Sequence, residues 1–172
     1  VIRDTEEIVH GILAGDLELG IVGAVSNASN IFQEVLIEDE LCLVVPAAHA
    51  LGRTQRIGLD RLLKEPFIIR EKGSGTLKSF QLSFARHGFQ IEQLNVVAEI
   101  GSTAAVIQAV KNGVGVSILS RIAVSEESAA GLLHTVALDG IDLKRNFYLT
   151  WHKQRSLSPL DTACIAFLKQ AF

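Results

Sequence analysis

Residues that could bind an anion are concentrated in one stretch near the middle of this sequence, residues 70–76, Arg-Glu-Lys-Gly-Ser-Gly-Thr. The stretch follows an apolar run at 67–69 that predicts a buried strand, and a helical pattern begins directly behind it. Its two glycines allow a tight turn, and Ser74 or Thr76 can cap the helix. Free N–H groups in a first helical turn favour carboxylate, sulfate or phosphate. The alternative is an ordinary strand-to-helix turn that binds no ligand.

Hydroxyl side chains recur at other predicted helix starts that follow strands. Several such starts converging on one cleft would suit a small anionic ligand. Each hydroxyl could instead be a plain cap, worth about 1 kcal/mol to its helix. Arg70 could pair with a carboxylate of the ligand, or form a surface ion pair with a nearby acid. The candidate binding residues are Thr5, Arg70, Ser74, Thr76, Ser102, Thr103 and Ser120.

The sequence offers little support for catalysis, and we predict no catalytic residue, no metal site and no cofactor. The five histidines are scattered and lack the paired spacing of metal ligands. Residues 73–76 do not have the glycine spacing of a nucleophile elbow. A phosphate-loop Gly-Lys-Ser/Thr and a full dinucleotide fingerprint are also lacking. We therefore expect a binding protein and not an enzyme.

Strand and helix patterns alternate along most of the chain, which predicts an α/β fold with largely parallel sheets. In such sheets ligands bind beyond the carboxyl ends of the strands. Trp151 and the eight phenylalanines lie in apolar runs and are interpreted as core. Helices are predicted at 4–15, 59–64, 76–88, 102–113, 120–129 and 159–172, and strands at 17–23, 32–37, 41–45, 67–69, 96–100, 115–119, 132–138 and 147–151.

The composition restricts the partners and the compartment. A formal net charge of −3 argues against a nucleic-acid-binding surface within these residues, because phosphate affinity comes from clustered Lys and Arg. The sequence contains no apolar stretch long enough to span a bilayer and no signal-peptide pattern at its start. Cys42 and Cys164 are interpreted as buried free thiols. We expect a cytoplasmic protein with no membrane partner.

Seven runs lie at 4–8, 15–21, 40–51, 66–76, 101–103, 113–120 and 147–149, and together they resemble the effector-binding region of LysR-type transcriptional regulators. Residues 4–8 and 15–21 are similar to that family's NTEEV…GELDLGI, and residues 40–51 to DELVLVVP..HPL. Residues 66–76, PFIIREKGSGT, are similar to PFILREPGSGT. The matches continue at 101–103, 113–120 and 147–149, in order and across nearly the whole chain.

The resemblance implies two α/β lobes with the fold of type II periplasmic binding proteins, joined by two crossover strands. Lobe one would comprise 1–71 and 147–172, and lobe two 72–146. A small effector, a carboxylate or other anion, would bind between them. The family also implies homodimers or homotetramers, and DNA binding only through an N-terminal winged helix-turn-helix. That segment and the first strand and helix of lobe one are expected to be missing here.

Two rival functions are consistent with the same fold. One is a solute-binding protein of a transport system, which a native secretion signal would support. The other is an enzyme acting on a small carboxylate, which would need an acid–base pair in the cleft. Fold analogy alone does not separate them from a regulator.

Overall fold

The computed structural model describes Val1 and residues 3–171, with Ala171 described by its backbone only. In this part of the chain, helices and strands alternate along much of the sequence, which confirms the predicted α/β class. The sheets, expected to be largely parallel, contain antiparallel pairs as well as parallel ones. Short 3₁₀ helices lie at Ala50–Arg53, Ile91–Gln93 and Ile122–Val124. Helices α1 to α6 span Thr5–Ala14, Leu59–Leu62, Gly75–Arg86, Thr103–Lys111, Ser125–Ala129 and Pro159–Ala171. Strands β1 to β8 span Leu19–Val22, Ile31–Pro46, Arg56–Ile57, Pro66–Arg70, Asn95–Ile100, Ser117–Ser120, Leu133–Leu138 and Lys144–His152.

The chain forms two compact units, residues 1–38 with 145–172 (the first unit) and residues 39–144 (the second unit). The chain returns from the second unit to the first between residues 144 and 145, and the predicted boundary lay between residues 146 and 147. The first crossing lies inside β2, and not near Glu71 as the predicted lobes had it. The reason is that the later half of β2 pairs with β6 and β7. Residues 39–71 therefore belong to the second unit.

The first unit is built on β1 and β8, which pair antiparallel from Leu19 opposite Trp151 to Val22 opposite Tyr148. Strand β8 is also hydrogen-bonded to β2. Apolar residues at helical spacing on α1 are buried against this sheet, as amphipathic packing requires. The buried core residues of the first unit are Ile8, Val9, Ile12, Val22 and Ile31.

In the second unit, β4 and β5 pair in parallel, and Arg70 lies opposite Ile100 at their carboxyl ends. Strand β4 also forms a parallel bridge from Phe67 to Val116, just before β6, and the amide of Ile68 donates to Val116 over 2.8 Å. Strand β6 pairs antiparallel with β2, β2 with β7, and β7 is parallel to β3. The carboxyl ends of β4, β5 and β6 therefore meet at one edge, which we call the carboxyl edge.

Alternate residues of β2 point to opposite faces of that sheet, as in any strand. Leu41 and Leu43 join the core that contains Phe80 and Phe84 of α3. The intervening residues of β2 join the core that contains Val106 of α4. Helices α3 and α4 thus cover opposite faces and both begin just beyond the carboxyl edge.

The structure corrects several details of the predicted elements. The two strands predicted at 32–37 and 41–45 are one continuous strand, because the acidic residues between them stay extended and bind partners. Asp39 accepts from Ser120, and Glu40 pairs with Arg121. The helix predicted at 120–129 is a 3₁₀ turn followed by the short α5.

The predicted core is also corrected at its surface members. Cys42 is buried as expected, but Cys164 is exposed. Phe32 and Phe167 are 41% and 69% exposed, so apolar character in their strand and helix did not mean burial. Phe172, the predicted end of the last helix, lies outside the described residues.

Candidate functional site

The carboxyl edge brings two hydroxyl-capped helix starts of the second unit side by side. Strands β4 and β5 are in parallel register up to Arg70 and Ile100. The chain leaves β4 toward α3 and leaves β5 toward α4 directly after these two residues. The predicted candidates on these two turns, at 70–76 and 102–103, are therefore neighbours in the fold.

The turn into α3 is shaped by glycine and closed by serine. Gly73 has a φ of 93°, a left-handed conformation that glycine adopts without strain. The amide of Ser74 donates to the carbonyl of Glu71 over 3.2 Å. Ser74 is only 3% exposed, and its Oγ accepts from the amide of Leu77 over 3.5 Å. Ser74, one of the two predicted candidates, is thus the N-cap of α3.

The turn into α4 is similar but more open to solvent. Ser102 is the N-cap, and its exposed Oγ accepts from the amide of Ala105 over 3.5 Å. The carbonyl of Ser102 accepts from the amide of Val106 over 2.9 Å, which closes the first helical turn. Thr103 is the first helical residue.

Arg70 connects these two turns. Its Nε and Nη2 donate to the two carboxylate oxygens of Glu71, each over 2.7 Å, and its Nη1 donates to Thr103 Oγ1 over 2.6 Å. The side chains of Arg70 and Glu71 are only 12% and 22% exposed. The ion pair with a nearby acid, which the sequence left open for Arg70, is therefore present. Glu71 follows Arg70 directly, so the sequence could have suggested this partner.

The hydrogen bonds already made by these hydroxyl groups determine whether each can donate to a ligand or accept from it. A hydroxyl has one donor and two acceptor positions. Ser74, Ser102 and Thr103 each accept a hydrogen bond, and among the described residues none of their protons has an acceptor. The first N–H groups of an α-helix also lack intrahelical partners. The edge is therefore rich in donors, which suits a ligand that only accepts.

Thr76 lies in the first turn of α3 and is half-buried. With Arg70 it lines a small pocket of about 10 Å³ whose floor includes Phe67 and Phe80. That volume holds about one water molecule. The pocket is too small for an organic ligand in this arrangement.

Ser120 is the last residue of β6 and lies at the same edge, but its hydroxyl proton is already donated within the protein. Its Oγ donates to Asp39 Oδ1 over 2.9 Å and accepts from the amide of Ala123 over 3.3 Å. Its one proton is used by Asp39, so it can offer a ligand only its second acceptor position. The pairing with Asp39 was not predicted, because it depends on the register of β2 against β6.

Thr5 belongs to the first unit, where it is the first residue of α1 and is buried. Asp4 caps this helix, and its carboxylate accepts from the amide of Glu7 over 2.9 Å. The negative charge of Asp4 also favours this end of the helix dipole. Thr5 itself thus stands in a well-formed first turn.

A metal site is lacking among residues 1 and 3–171. Groups of three or more His, Cys, Asp or Glu side chains placed to bind a metal are lacking there. Burial raises the pKa of the Cys42 thiol to about 12, which makes it a poor nucleophile. The helices in this described part are too short or too polar to cross a membrane.

The fold is an α/β arrangement of two compact units. Comparison with known proteins gives its family. The model of the LysR substrate binding domain matches residues 1–172. The regulatory domain of CcmR from Synechocystis PCC6803, solved in complex with 2-PG, superposes with a TM-score of 0.86 at 28% identity and covers 98% of this chain and 79% of that one. The predicted two-lobed fold is confirmed by this match.

Curated relatives agree with this result. The uncharacterised HTH-type transcriptional regulator MJ0300 of Methanocaldococcus jannaschii is 36% identical over 86% of this chain and 50% of its own length. The HTH-type transcriptional activator CmpR of Synechocystis is 34% identical over 71% of this chain and 39% of its own. The chain thus spans half or less of these two relatives. It belongs to the LysR substrate binding domain family.

Proposed function

We propose that this chain is the effector-sensing domain of a LysR-type transcriptional regulator and binds a small anionic effector at the carboxyl edge. The observation that supports this most is the pair of hydroxyl-capped helix starts of α3 and α4, held side by side by β4 and β5. Their outward protons and helical N–H groups match the lone pairs of a carboxylate or phosphate.

The relatives support a sensor over the two rival functions. MJ0300 and CmpR are described as transcriptional regulators, which favours regulation over solute transport and catalysis. The CcmR domain was solved with 2-PG, and its 28% identity makes 2-PG the first ligand to test here.

The proposed contacts follow from the polarity of each group. Ser74, Ser102 and Thr103 would donate hydroxyl hydrogen bonds, and the first turn of α3 would add the N–H groups near Thr76. Ser120 could contribute only as an acceptor. Thr5 remains the candidate from the first unit, and Arg70 supports the site in the way argued in the next subsection.

In the whole protein, the effector would shift an equilibrium between arrangements of the domain. It can do this only by binding one arrangement better than the other. We propose that this shift changes pairing in a homodimer or homotetramer, and that a winged helix-turn-helix elsewhere in the protein binds DNA. A regulator of this kind would act in the cytoplasm and would perform no catalysis.

Calorimetric titration of the full-length protein with 2-PG, inorganic phosphate and succinate tests the proposal. Binding should weaken about tenfold in Thr103→Val, which removes one hydroxyl donor without changing the size of the side chain much. Thr103→Ser keeps the hydroxyl and should bind within about twofold of wild type. Ser125→Ala, at another helix start, is the matched control.

The contrary results are clear. Unchanged affinity in Thr103→Val would remove this residue from the site. Absence of binding by wild type to all three anions would contradict the proposal. Turnover of one of them by wild type would favour the enzyme among the rival functions.

A further inference from the structure

The guanidinium of Arg70 is occupied before any ligand arrives. Two of its nitrogen atoms hold both oxygens of Glu71, and the third holds Thr103 Oγ1. This two-point contact with a carboxylate is the geometry that arginine would otherwise offer to an anionic effector. An effector that paired with Arg70 in the same way would have to displace Glu71.

Displacement is unfavourable because the pair is largely shielded from water. The two side chains are 12% and 22% exposed. Removing one partner from such a pair leaves the other charge poorly solvated. The positive charge of Arg70 is therefore already balanced within the protein.

The third contact has a different consequence. Thr103 Oγ1 accepts from Arg70 over 2.6 Å, and its own proton has no acceptor among the described residues. Because the acceptor side of the hydroxyl is turned to Arg70, its donor side is turned away from it. The contact links residues 33 positions apart and holds the end of β4 against the start of α4.

We propose that Arg70 and Glu71 form a positioning pair, in which Glu71 orients the guanidinium and the guanidinium holds the Thr103 hydroxyl as a donor to the effector. Arg70 then acts through Thr103 and does not bind the charge of the effector. The proposal rests on the proposed function, since it assigns roles within the same site. Glu71 was not among the predicted binding residues. The proposal makes it a determinant of effector affinity.

The two possible roles of Arg70 predict opposite results for two conservative changes. Lysine keeps the positive charge but lacks the rigid fork that reaches Glu71 and Thr103 together. If Arg70 attracted the effector through its positive charge alone, Arg70→Lys would keep most of the affinity, and Glu71→Gln would free the guanidinium and tighten binding. If Arg70 positions Thr103, both changes weaken binding.

The experiment is a double-mutant cycle on the full-length protein, with the dissociation constant for 2-PG measured by calorimetry. We expect Arg70→Lys, Arg70→Gln and Glu71→Gln each to weaken binding about five- to tenfold. In the Thr103→Val background, Arg70→Lys should add less than about twofold, because the hydroxyl it positions is gone. The affinity of Thr103→Ser, which retains the hydroxyl, should again depend on Arg70.

Two outcomes would overturn the proposal: Arg70→Lys binding as wild type, or the effects of Arg70→Lys and Thr103→Val multiplying in the double variant. If an Arg70 variant does not fold, as judged by circular dichroism, Glu71→Gln decides by the direction of its effect. If wild type binds none of 2-PG, inorganic phosphate and succinate, the proposed function fails and the positioning role fails with it. Wild-type binding with an unchanged Glu71→Gln variant rejects only the positioning role.

Discussion

Ser120 Oγ donates a hydrogen bond to Asp39 Oδ1 over 2.9 Å, and the two residues are only 5% exposed each. The bond joins the end of β6 to β2 at the point where β2 enters the second unit. It lies beside the exposed ion pair of Arg121 with Glu40. The acidic residues in the middle of β2 are therefore fixed by specific partners, and this keeps the strand continuous.

Replacing Ser120 by alanine should lower the free energy of unfolding by about 1–3 kcal/mol, since it removes a buried hydrogen bond to a carboxylate and the acceptor for Ala123. Urea denaturation followed by circular dichroism measures this loss. Ser125→Ala, which removes an exposed hydroxyl, is the control and should change stability by less than about 0.5 kcal/mol. Equal stability of the two variants would mean that the bond to Asp39 contributes nothing.

The two cysteines should react very differently with iodoacetamide. Cys164 is exposed, whereas Cys42 is buried and burial raises its pKa to about 12. The thiolate is the reactive form, so at pH 8 native Cys42 should stay unmodified while Cys164 is alkylated. Peptide mass spectrometry reads the two sites separately.

The same thiol gives a pH dependence with a definite sign. Because the folded pKa of Cys42 lies above its ordinary value, the folded state keeps a proton that the unfolded state loses. The contribution to stability is complete below the ordinary thiol pKa and is lost as the pH rises through about 12. Modification of native Cys42 at pH 8 at the rate of Cys164 would contradict this environment.

The cap of α1 can be tested with two variants of one residue. Asp4→Ala removes the acceptor for the amide of Glu7 and should cost about 1 kcal/mol of stability. Asp4→Asn keeps a side-chain oxygen at the cap and should cost less, with the remaining difference due to the charge at the helix N-terminus. Thermal unfolding by circular dichroism compares the two, and equal losses would mean that the cap bond is not what stabilises the helix.

Local features of the site could be predicted from the sequence, because they depend on neighbouring residues. The caps at Asp4, Ser74 and Ser102 are each set by a polar side chain three residues before the amide that it binds. The alternation of strands and helices follows in the same way from apolar patterns. The predicted helix starts near residues 4, 76 and 102 and the α/β class are confirmed.

Contacts between distant segments could not be predicted. Arg70 reaches Thr103 only because β4 and β5 pair in parallel with Arg70 opposite Ile100. The continuity of β2 likewise depends on strands that occur much later in the chain. Phe167 was interpreted as core because composition does not say which side of a helix meets the sheet. The contact of Arg70 with Thr103, the continuity of β2 and the exposure of Phe167 depend on how distant segments pack and pair, and not on local propensity.

The last prediction concerns Gly115, which lets the segment before β6 approach β4. A Cβ at this position would lie 2.5 Å from the carbonyl oxygen of Pro66, and backbone atoms cannot move aside as a flexible side chain could. The same carbonyl accepts from the amide of Val116 over 2.8 Å, so a shift would disturb the bridge between the two segments. Gly115→Ala should therefore destabilise the protein by about 1–3 kcal/mol.

Gly101→Ala is the matched control, since a Cβ there meets nothing within 4 Å. It should change the free energy of unfolding by less than about 0.5 kcal/mol in the same urea titration. Hydrogen exchange of the Val116 and Ile68 amides adds a local measurement, and both should exchange faster in Gly115→Ala. Wild-type stability together with unchanged protection of these amides would show that the approach of the two segments is not as close as described. Loss of stability with faster exchange would confirm that the absence of a side chain at Gly115 holds β6 in register with β4, and with it the carboxyl edge on which the proposed site depends.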